Sequence, residues 1–317
     1  MKEIGGYIEL DTYRLPLLHG EAKALNCGRN CLAYLFRSRG IKKIRLPYFI
    51  CGSVCEVCDR EHVQKSFYHI GPDFRPIGNL CLENDEWLYL VNFYGQIGND
   101  DLEEYVRQYS RVIVDQAQAY FEKPAEGADT IYTCRKWFGV ADGAFLYTDS
   151  VIDNPLPQDE SYDRMHFLLG RFERNASDFY KEYSDNNRMF ADEPIKRMSK
   201  LTRNLLSGID YPAVAKNRED NFNYLHERLG DINQLNLKET LFMYPLMIEN
   251  GSALRKKLQQ NKIYIPTLWP DVFDLAEPDD LEYKMAENIL PLPIDQRYDI
   301  TDMQYMISVI IGLLEEK

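Results

Sequence analysis

Two charged side chains, Asp115 and Lys136, each stand at the end of an apolar stretch of this sequence. The first stretch begins at Val112 and reads VIVD, and the second begins at Thr130 and reads TIYTCRK. A partly desolvated lysine keeps a neutral amine that can form a Schiff base with a carbonyl compound. An aspartate opposite that lysine could keep a pyridinium nitrogen protonated. The pair therefore indicates a site that suits pyridoxal phosphate.

Polar residues accompany both charges at short spacing. Gln118 follows Asp115 by three residues, and Thr133 precedes Lys136 by three residues. A turn that contains glycine comes after the lysine. We predict that these side chains meet at one site, because each group follows the end of a strand.

A further segment, Cys27-Gly28-Arg29-Asn30, has the composition of an anion site. It follows a short apolar stretch and precedes a helical pattern with Leu32 and Phe36 on one face. A glycine at a strand-to-helix turn leaves free backbone N–H groups, which bind phosphate, and Arg29 could add positive charge. The same residues would also serve as an ordinary helix start without a ligand.

Two aromatic residues, Tyr48 and Phe49, come directly after the strand predicted at 42–47. They could stack on a flat ring, although aromatic residues at such positions also fill protein cores.

Alternating strand and helix patterns over the first half of the chain predict an α/β domain with a mostly parallel sheet flanked by helices. Ligands of such sheets bind outside the carboxyl ends of the strands. Five clusters of polar or aromatic residues follow predicted strand ends, at 26–30, 47–49, 92–96, 115–118 and 133–136.

The composition changes after Thr148. An acidic, proline-containing connector at 154–160 leads into helical patterns at 162–183, 195–206 and 211–229. Beyond Gly230 we predict a small α+β unit with a strand near 241–248, a helix near 252–260, extended pieces at 263–268 and 289–293, and a last helix at 302–316. The predicted division is a large cofactor-binding domain, 1–207, with an N-terminal arm at 1–20, and a small C-terminal domain, 208–317.

The overall charge limits the classes of partner. The 317 residues include 50 acidic and 37 basic side chains, for a net charge of −13, which argues against nucleic acid and anionic membranes as partners. The first residues do not resemble a signal peptide, and no apolar run approaches the ~20 residues of a spanning helix. The seven cysteines are expected to be reduced thiols in a cytoplasmic protein.

Another class of site has to be weighed at Cys51, Cys55 and Cys58, whose C-x3-C-x2-C spacing is that of radical S-adenosylmethionine iron–sulfur proteins. The same spacing places all three thiols on one face of a helix, where buried cysteines are common. The aromatic residue that commonly precedes the last cysteine of that motif is Val57 here. The five histidines have no ligand spacing and are read as structural or surface residues.

The order of the clusters resembles the sugar aminotransferases of the DegT/DnrJ/EryC1/StrS family, which are fold type I pyridoxal-phosphate enzymes. Besides Thr133 and Lys136, which are similar to an S-x-x-K pattern, the matching segments are 92–96 (NFYGQ for H-L-Y-G-Q), 114–119 (VDQAQA for E-D-A-A-Q-A), 196–199 (KRMS for Y-R-M-S) and 290–293 (LPLP for L-P-L-H).

The resemblance implies a role for each candidate residue. Lys136 would carry pyridoxal 5′-phosphate as an internal aldimine and then shuttle a proton. Asp115 would pair with the ring nitrogen, and Gln118 would contact the ring hydroxyl. The implied phosphate ligands are Gly28, Arg29, Asn30 and Thr133, and the implied stacking residue is Tyr48 or Phe49.

The resemblance also implies an aminotransferase that moves an amino group from an amino acid to a keto sugar, nucleotide-linked, in polysaccharide biosynthesis, and that works as a homodimer. Four features depart from the family pattern, and one is the S-G-T phosphate turn, which reads Cys27-Gly28-Arg29 here. Tyr120 replaces a histidine, Ile195 replaces an asparagine contributed across the dimer interface, and Cys51 replaces an aromatic residue. A cofactor-binding homologue with weak or non-sugar activity is therefore the alternative within the same fold, and a non-enzymatic interaction domain is a further one.

Overall fold

The computed structural model of the protein describes residues 4–315. Within that range a seven-stranded sheet has the order β1-β7-β6-β5-β4-β2-β3. Its strands are β1 (Lys23–Leu25), β2 (Lys43–Pro47), β3 (Gln64–Tyr68), β4 (Glu86–Val91), β5 (Val112–Asp115), β6 (Asp129–Thr133) and β7 (Ala144–Tyr147). β7 is antiparallel to both of its neighbours, and the other pairs are parallel. The predicted α/β fold is confirmed, and six of these strands present their carboxyl ends at one edge, the rim.

The region between Val112 and Thr148 holds three strands, whereas the sequence predicted two. The additional strand, β7, begins after Gly143, whose φ of +114° favours glycine. A Cβ atom at Gly143 would lie 2.9 Å from Thr202 Cγ2 and 3.3 Å from the Sγ of Cys134. Both the backbone angle and the close packing therefore require glycine where the chain reverses.

The helices that cover the large sheet and extend beyond it are α1 (Gly28–Arg39), α2 (Gly52–Arg60), α3 (Asn99–Tyr109), α4 (His166–Glu173), α5 (Tyr180–Met189), α6 (Lys200–Leu206) and α7 (Tyr211–Leu229). The predicted helix at 195–206 begins only at Lys200. Residues before it lie extended beside β1, where the Met198 N–H donates to the Ala24 carbonyl at 3.0 Å. Ser199 caps α6, because its side chain accepts from the Thr202 N–H.

The C-terminal part contains a two-stranded antiparallel sheet of β8 (Met243–Met247) and β9 (Ile289–Pro293). Its helices are α8 (Gly251–Gln260), α9 (Val272–Leu275), α10 (Leu281–Asn288) and α11 (Ile300–Glu315). The predicted extended piece at 263–268 forms no strand, and α9 and α10 were not predicted. Residue 316 of the predicted last helix and residues 1–3 of the predicted arm lie outside the described residues.

Two hydrophobic clusters hold these layers together. One surrounds the large sheet, and the other joins α7, α8 and α11 to the small sheet. α7 contributes to both, because Tyr211 packs in the first cluster and Phe222 in the second. The domain boundary at 207 therefore remains a prediction. No helix within residues 4–315 is long and apolar enough to cross a bilayer.

A buried histidine, His19, connects the end of the N-terminal arm to the sheet. Its ring stacks on Tyr132 with the centroids 4.0 Å apart, and Nε2 lies 2.7 Å from the Tyr120 carbonyl oxygen. Burial lowers the pKa of His19 from 6.5 to about 4. The imidazole is therefore neutral in the folded protein at neutral pH.

We expect His19 to make folding sensitive to acid. Between pH 6.5 and about 4 the unfolded chain binds a proton that the folded chain does not, so stability falls as pH falls, by about 3 kcal/mol over that window. Urea unfolding of the wild type and of His19→Gln at a series of pH values measures this contribution. The variant should lose less stability on acidification; equal pH dependence in the two proteins would contradict the assignment.

Candidate functional site

The predicted phosphate segments do meet at the rim. A Cβ atom built on Gly28, at the start of α1, would lie 3.1 Å from Cγ2 of Thr133, at the end of β6. Cys27, the N-cap residue of α1, makes no side-chain capping hydrogen bond. The first N–H groups of a helix lack intrahelical partners, so this end of α1 can receive an anion.

Asp115 ends β5 at the same rim and is half-buried. Its Oδ2 accepts a hydrogen bond from the Tyr89 hydroxyl at 2.8 Å, and its Oδ1 accepts from the Ala117 N–H at 2.8 Å. Burial and the charge of Asp115 raise the pKa of the Tyr89 phenol well above its usual range, so that this hydroxyl remains a donor. Each carboxylate oxygen keeps a second lone pair for a ligand.

Sequence reasoning missed Tyr89, which fixes this carboxylate. It lies inside the apolar strand β4 and pairs in register with Ile113 of β5. A tyrosine in an apolar strand gives no indication by itself of which neighbour its hydroxyl contacts.

Gln118 is buried, with one end of its amide occupied. Its Oε1 accepts from the Tyr94 N–H at 2.7 Å, and Tyr94 has a positive φ of 53°. Within residues 4–315 the Gln118 Nε2 group makes no hydrogen bond, so it is available to donate to a ligand.

Lys136 lies in the connection between β6 and β7 and is exposed. Among residues 4–315 its ammonium group has no ion-pair or hydrogen-bond partner. The chain turns tightly here, because the N–H groups of Trp137 and Phe138 both donate to the Cys134 carbonyl at 2.9 Å. The single chain therefore does not desolvate the amine as the sequence analysis expected, and burial would have to come from a ligand or a second subunit.

Arg135, immediately before the lysine, is a candidate anion ligand that the sequence analysis missed. Its guanidinium lies 4.7 Å from the Phe190 ring centroid, and NH2 donates to Asn187 Oδ1 at 3.2 Å. No carboxylate among residues 4–315 lies within ion-pair distance of it. Burial, and then the like charges of Arg29 and Arg164, lower the pKa of Arg135. An uncompensated cation beside the start of α1 favours an anionic ligand.

Arg29 adds a second positive charge at this point. It donates from NH1 to the Asn187 carbonyl at 3.1 Å, while its buried Nε has no hydrogen-bond partner and lies 3.8 Å from the Glu56 carboxylate. For Arg135, the sign in the sequence was its position directly before the candidate lysine. Residue type alone, however, does not show where a long side chain points.

The structure does not place two of the predicted ligand side chains at the rim. Asn30 is fully buried, and its side chain donates to the Pro194 carbonyl at 2.8 Å and accepts from Arg60 at 3.0 Å. Phe49 is also fully buried, with its ring centroid 4.4 Å from that of Trp269. Neither side chain reaches the rim, because both are held inside the core.

The other aromatic candidate, Tyr48, is half-buried and stacks on His69 with the centroids 4.5 Å apart. It therefore lies against the end of β3, at the outer edge of the sheet. Cys51 follows at the start of α2 and is half-buried, with its Sγ 3.1 Å from the Ser53 hydroxyl oxygen. A half-exposed thiol thus stands where the family resemblance implies an aromatic residue.

The iron–sulfur alternative finds no support in the local chemistry. Burial raises the pKa of Cys58 to about 12 and also raises that of Cys55, as expected for thiols packed along one face of α2. In the range 4–315 no three His, Cys, Asp or Glu side chains are arranged to hold a metal ion.

A cavity of about 410 Å³ lies elsewhere in the molecule. Its lining includes Glu86, the first residue of β4, and Arg111, which immediately precedes β5. It is therefore at the edge of the sheet opposite the rim and does not form part of the candidate site.

Asp142 holds the turn that follows Lys136. Its carboxylate is fully buried and accepts from the N–H and hydroxyl of Ser199, both at 2.7 Å, and from the Thr202 hydroxyl. The connection between β6 and β7 is thereby fixed to the start of α6.

Asp142→Ala should destabilise the protein by about 3 kcal/mol, because it leaves buried donors without an acceptor. The free energy of unfolding in urea measures the loss, and Asp153→Ala, at an exposed position, serves as the control. If Asp142→Ala were as stable as the control, the buried hydrogen bonds would not be what fixes this turn.

The similarity of this chain to known proteins lies in its fold. No protein-family model matches the sequence, and no curated protein sequence matches it. Solved structures do match over most of the chain. One is a DegT DnrJ EryC1 StrS aminotransferase from Brucella abortus, with a TM-score of 0.63 and 16% identity over 92% of this chain and 85% of that one.

Two further matches have the same character. A protein from Streptococcus pneumoniae described as a sugar aminotransferase, in its PLP form, gives a TM-score of 0.65 and 15% identity over 94% and 89% of the two chains. DesV from S. venezuelae, in complex with a ketimine intermediate, gives 0.65 and 15% over 92% and 84%. The fold is that of the sugar aminotransferases. Identities this low establish the fold alone, and the activity has to be argued from the residues at the rim.

Proposed function

We propose that the protein is a pyridoxal-phosphate-dependent aminotransferase that transfers an amino group from an amino acid to a keto sugar, nucleotide-linked, in the cytoplasm. The observation that supports the proposal is that Asp115 and Thr133 end neighbouring parallel strands beside the start of α1, with Gln118 and Lys136 in the segments that follow those strands. The likeness of the fold to sugar aminotransferases supports it.

The residues present fit the cofactor by their chemistry. The start of α1 at Gly28, the Thr133 hydroxyl and the guanidinium groups of Arg29 and Arg135 provide donors and positive charge for a phosphate. The Asp115 carboxylate suits a protonated ring nitrogen, and the free Gln118 Nε2 suits a ring hydroxyl. Bound pyridoxal phosphate supplies the electron sink that stabilises negative charge at the substrate Cα.

The chain's own contribution to the chemistry centres on Lys136. Its Nζ, free of any carboxylate partner in the described chain, would attach the cofactor and afterwards carry the proton that leaves the substrate Cα. Asp115, fixed by Tyr89 and the Ala117 N–H, would keep its negative charge facing the ring nitrogen throughout.

A homodimer belongs to the same proposal. Ile4, Tyr7 and Ile8 of the N-terminal arm are at least 94% exposed, and Phe172 of α4 is 93% exposed. Burial of this apolar surface against a second copy would stabilise association. It would also supply the desolvation that Lys136 lacks in the single chain.

A second candidate is a cofactor-binding homologue with weak or non-sugar activity. Two observations favour it: Cys51 occupies the position of a stacking aromatic residue, and Ile195 is 4% exposed where the family resemblance implies an asparagine that serves the partner. Both changes would loosen cofactor binding without removing Lys136 or Asp115.

Lys136→Ala should abolish the visible absorbance that the purified protein gives with pyridoxal phosphate, and with it amino transfer from glutamate or another amino acid to nucleotide-linked keto sugars. Lys123→Ala, which changes an exposed lysine in the preceding loop, is the matched control. A retained signal and a retained borohydride-fixed mass increase in Lys136→Ala would refute the assignment. Full cofactor attachment in the wild type, with no transfer to any keto sugar tested, would favour the second candidate.

Arg135→Met should weaken pyridoxal phosphate binding about tenfold to a hundredfold, the range expected for a lost charge-assisted hydrogen bond. Binding of pyridoxal, which lacks the phosphate, should change little. Arg37→Met serves as the control, because Arg37 lies in the last turn of the same helix as Arg29 and pairs with Glu61. Equal weakening of both ligands would exclude Arg135 as a phosphate ligand.

A further inference from the structure

A deeply buried cation, Arg218 in the middle of α7, lies close to the residue that follows Lys136. It is 1% exposed, and no carboxylate among residues 4–315 lies within ion-pair distance of it. The nearby Asp295 is engaged by Arg297, at 2.6 and 2.7 Å. Burial lowers the pKa of Arg218 to about 10, so the guanidinium is still charged at neutral pH. Burying such a charge is costly, and an apolar residue would pack there at lower cost.

All three nitrogen atoms of this guanidinium group make hydrogen bonds. Nε donates to the Oε1 of Gln296 at 2.8 Å, NH1 donates to the Leu241 carbonyl at 2.6 Å, and NH2 donates to the Trp137 carbonyl at 3.4 Å. The guanidinium also lies 4.5 Å from the centroid of the Trp137 ring. Arg218 therefore joins the C-terminal segment to the residue that follows Lys136.

The Trp137 carbonyl receives a second and shorter hydrogen bond from the same segment. Gln296 Nε2 donates to it at 2.8 Å, while the other end of that amide accepts from Arg218. Arg218 thus orients Gln296, and the two side chains together hold one backbone oxygen.

Trp137 also contacts the loop that carries the aspartate. Its Nε1–H donates to the Ala117 carbonyl at 3.0 Å, between Asp115 and Gln118. On the other side of the lysine, Arg135 is packed against Phe190. Lys136 itself has no partner in the described chain, so the anchored residues on either side of it fix the backbone position from which its side chain extends.

We propose that Arg218 and Gln296 are positioning residues for Lys136, and that they hold the Trp137 carbonyl so that the lysine amine is aligned with the Asp115 loop. This inference rests on the proposed function. Neither residue touches the cofactor-binding groups at the start of α1. Their loss should therefore slow the reaction of Lys136 with the cofactor and leave phosphate-dependent binding almost unchanged.

The test compares Arg218→Met, Arg218→Lys and Gln296→Leu with the wild type. Arg297→Met is the matched control, since Arg297 lies next to Gln296 but its guanidinium is half-exposed and bonds only Asp295. One measurement is the affinity for pyridoxamine phosphate, which binds without a bond to lysine. The other is the rate at which borohydride fixes pyridoxal phosphate on Lys136, followed by mass spectrometry as a function of pH.

We expect Arg218→Met and Gln296→Leu to fix pyridoxal phosphate about tenfold more slowly, with a shifted pH profile, and to bind pyridoxamine phosphate within about twofold of the wild type. Arg218→Lys should recover part of the rate, and Arg297→Met should behave as the wild type. If Arg218→Met does not fold, Gln296→Leu alone decides, because it removes the shorter bond to Trp137.

Wild-type rates and pH profiles in both variants would overturn the inference. So would a parallel loss of pyridoxamine phosphate binding, which would indicate a general structural role. A wild type that never attaches pyridoxal phosphate at Lys136 would refute the proposed function itself, and this outcome is distinct from the other two.

Discussion

The candidate site depends on the hydrogen bond from the Gly143 N–H to the Asn26 carbonyl, at 2.6 Å. It joins the connection between β6 and β7 to the chain that leaves β1 and enters α1. The bond continues the antiparallel pairing of β1 with β7, one position beyond the pair of Leu25 and Ala144. This bond and the glycine that permits it fix the segment that carries Lys136 relative to the start of α1, together with the hydrogen bonds of Asp142 and Trp137.

Electrostatics at the rim differ from those of the whole chain. The protein carries a net charge of −13, yet Arg29 and Arg135 both bond Asn187 beside the start of α1. The net negative charge of the protein repels anionic polymers, whereas the local positive charge favours one small anion. The composition therefore argues against a class of partners without describing the site.

Much of the fold could be predicted from the sequence. The strand ends at Asp115 and Thr133 were predicted to share an edge because parallel strands present the same end to that edge. Asn30 and Phe49 were placed there by the same rule, and the structure buries both, because Asn30 bonds the Pro194 carbonyl and the ring of Phe49 packs on Trp269. Sequence position predicts where the backbone goes more reliably than where a side chain points.

The residues that could not be identified from the sequence share one property. Tyr89, Arg135 and Asp142 act through partners far away in the chain, and nothing in the local pattern identifies those partners. A turn that contains glycine was predicted after Lys136, but the strand β7 that begins after Gly143 was not, since the glycine is required by contacts with Cys134 and with Thr202, which is 59 positions further along.

The hydrogen bond between Gln118 and Tyr94 has a consequence for the kind of atom that the rim can recognise. Because Oε1 is taken by a backbone N–H, the amide of Gln118 cannot rotate by half a turn without leaving that donor unpaired. The free end is therefore always the NH2 group. A ligand must present a lone pair at this point. A ligand atom that could only donate a hydrogen bond would find no acceptor, because the Tyr94 N–H, more than twenty residues away in the sequence, holds the amide in one orientation.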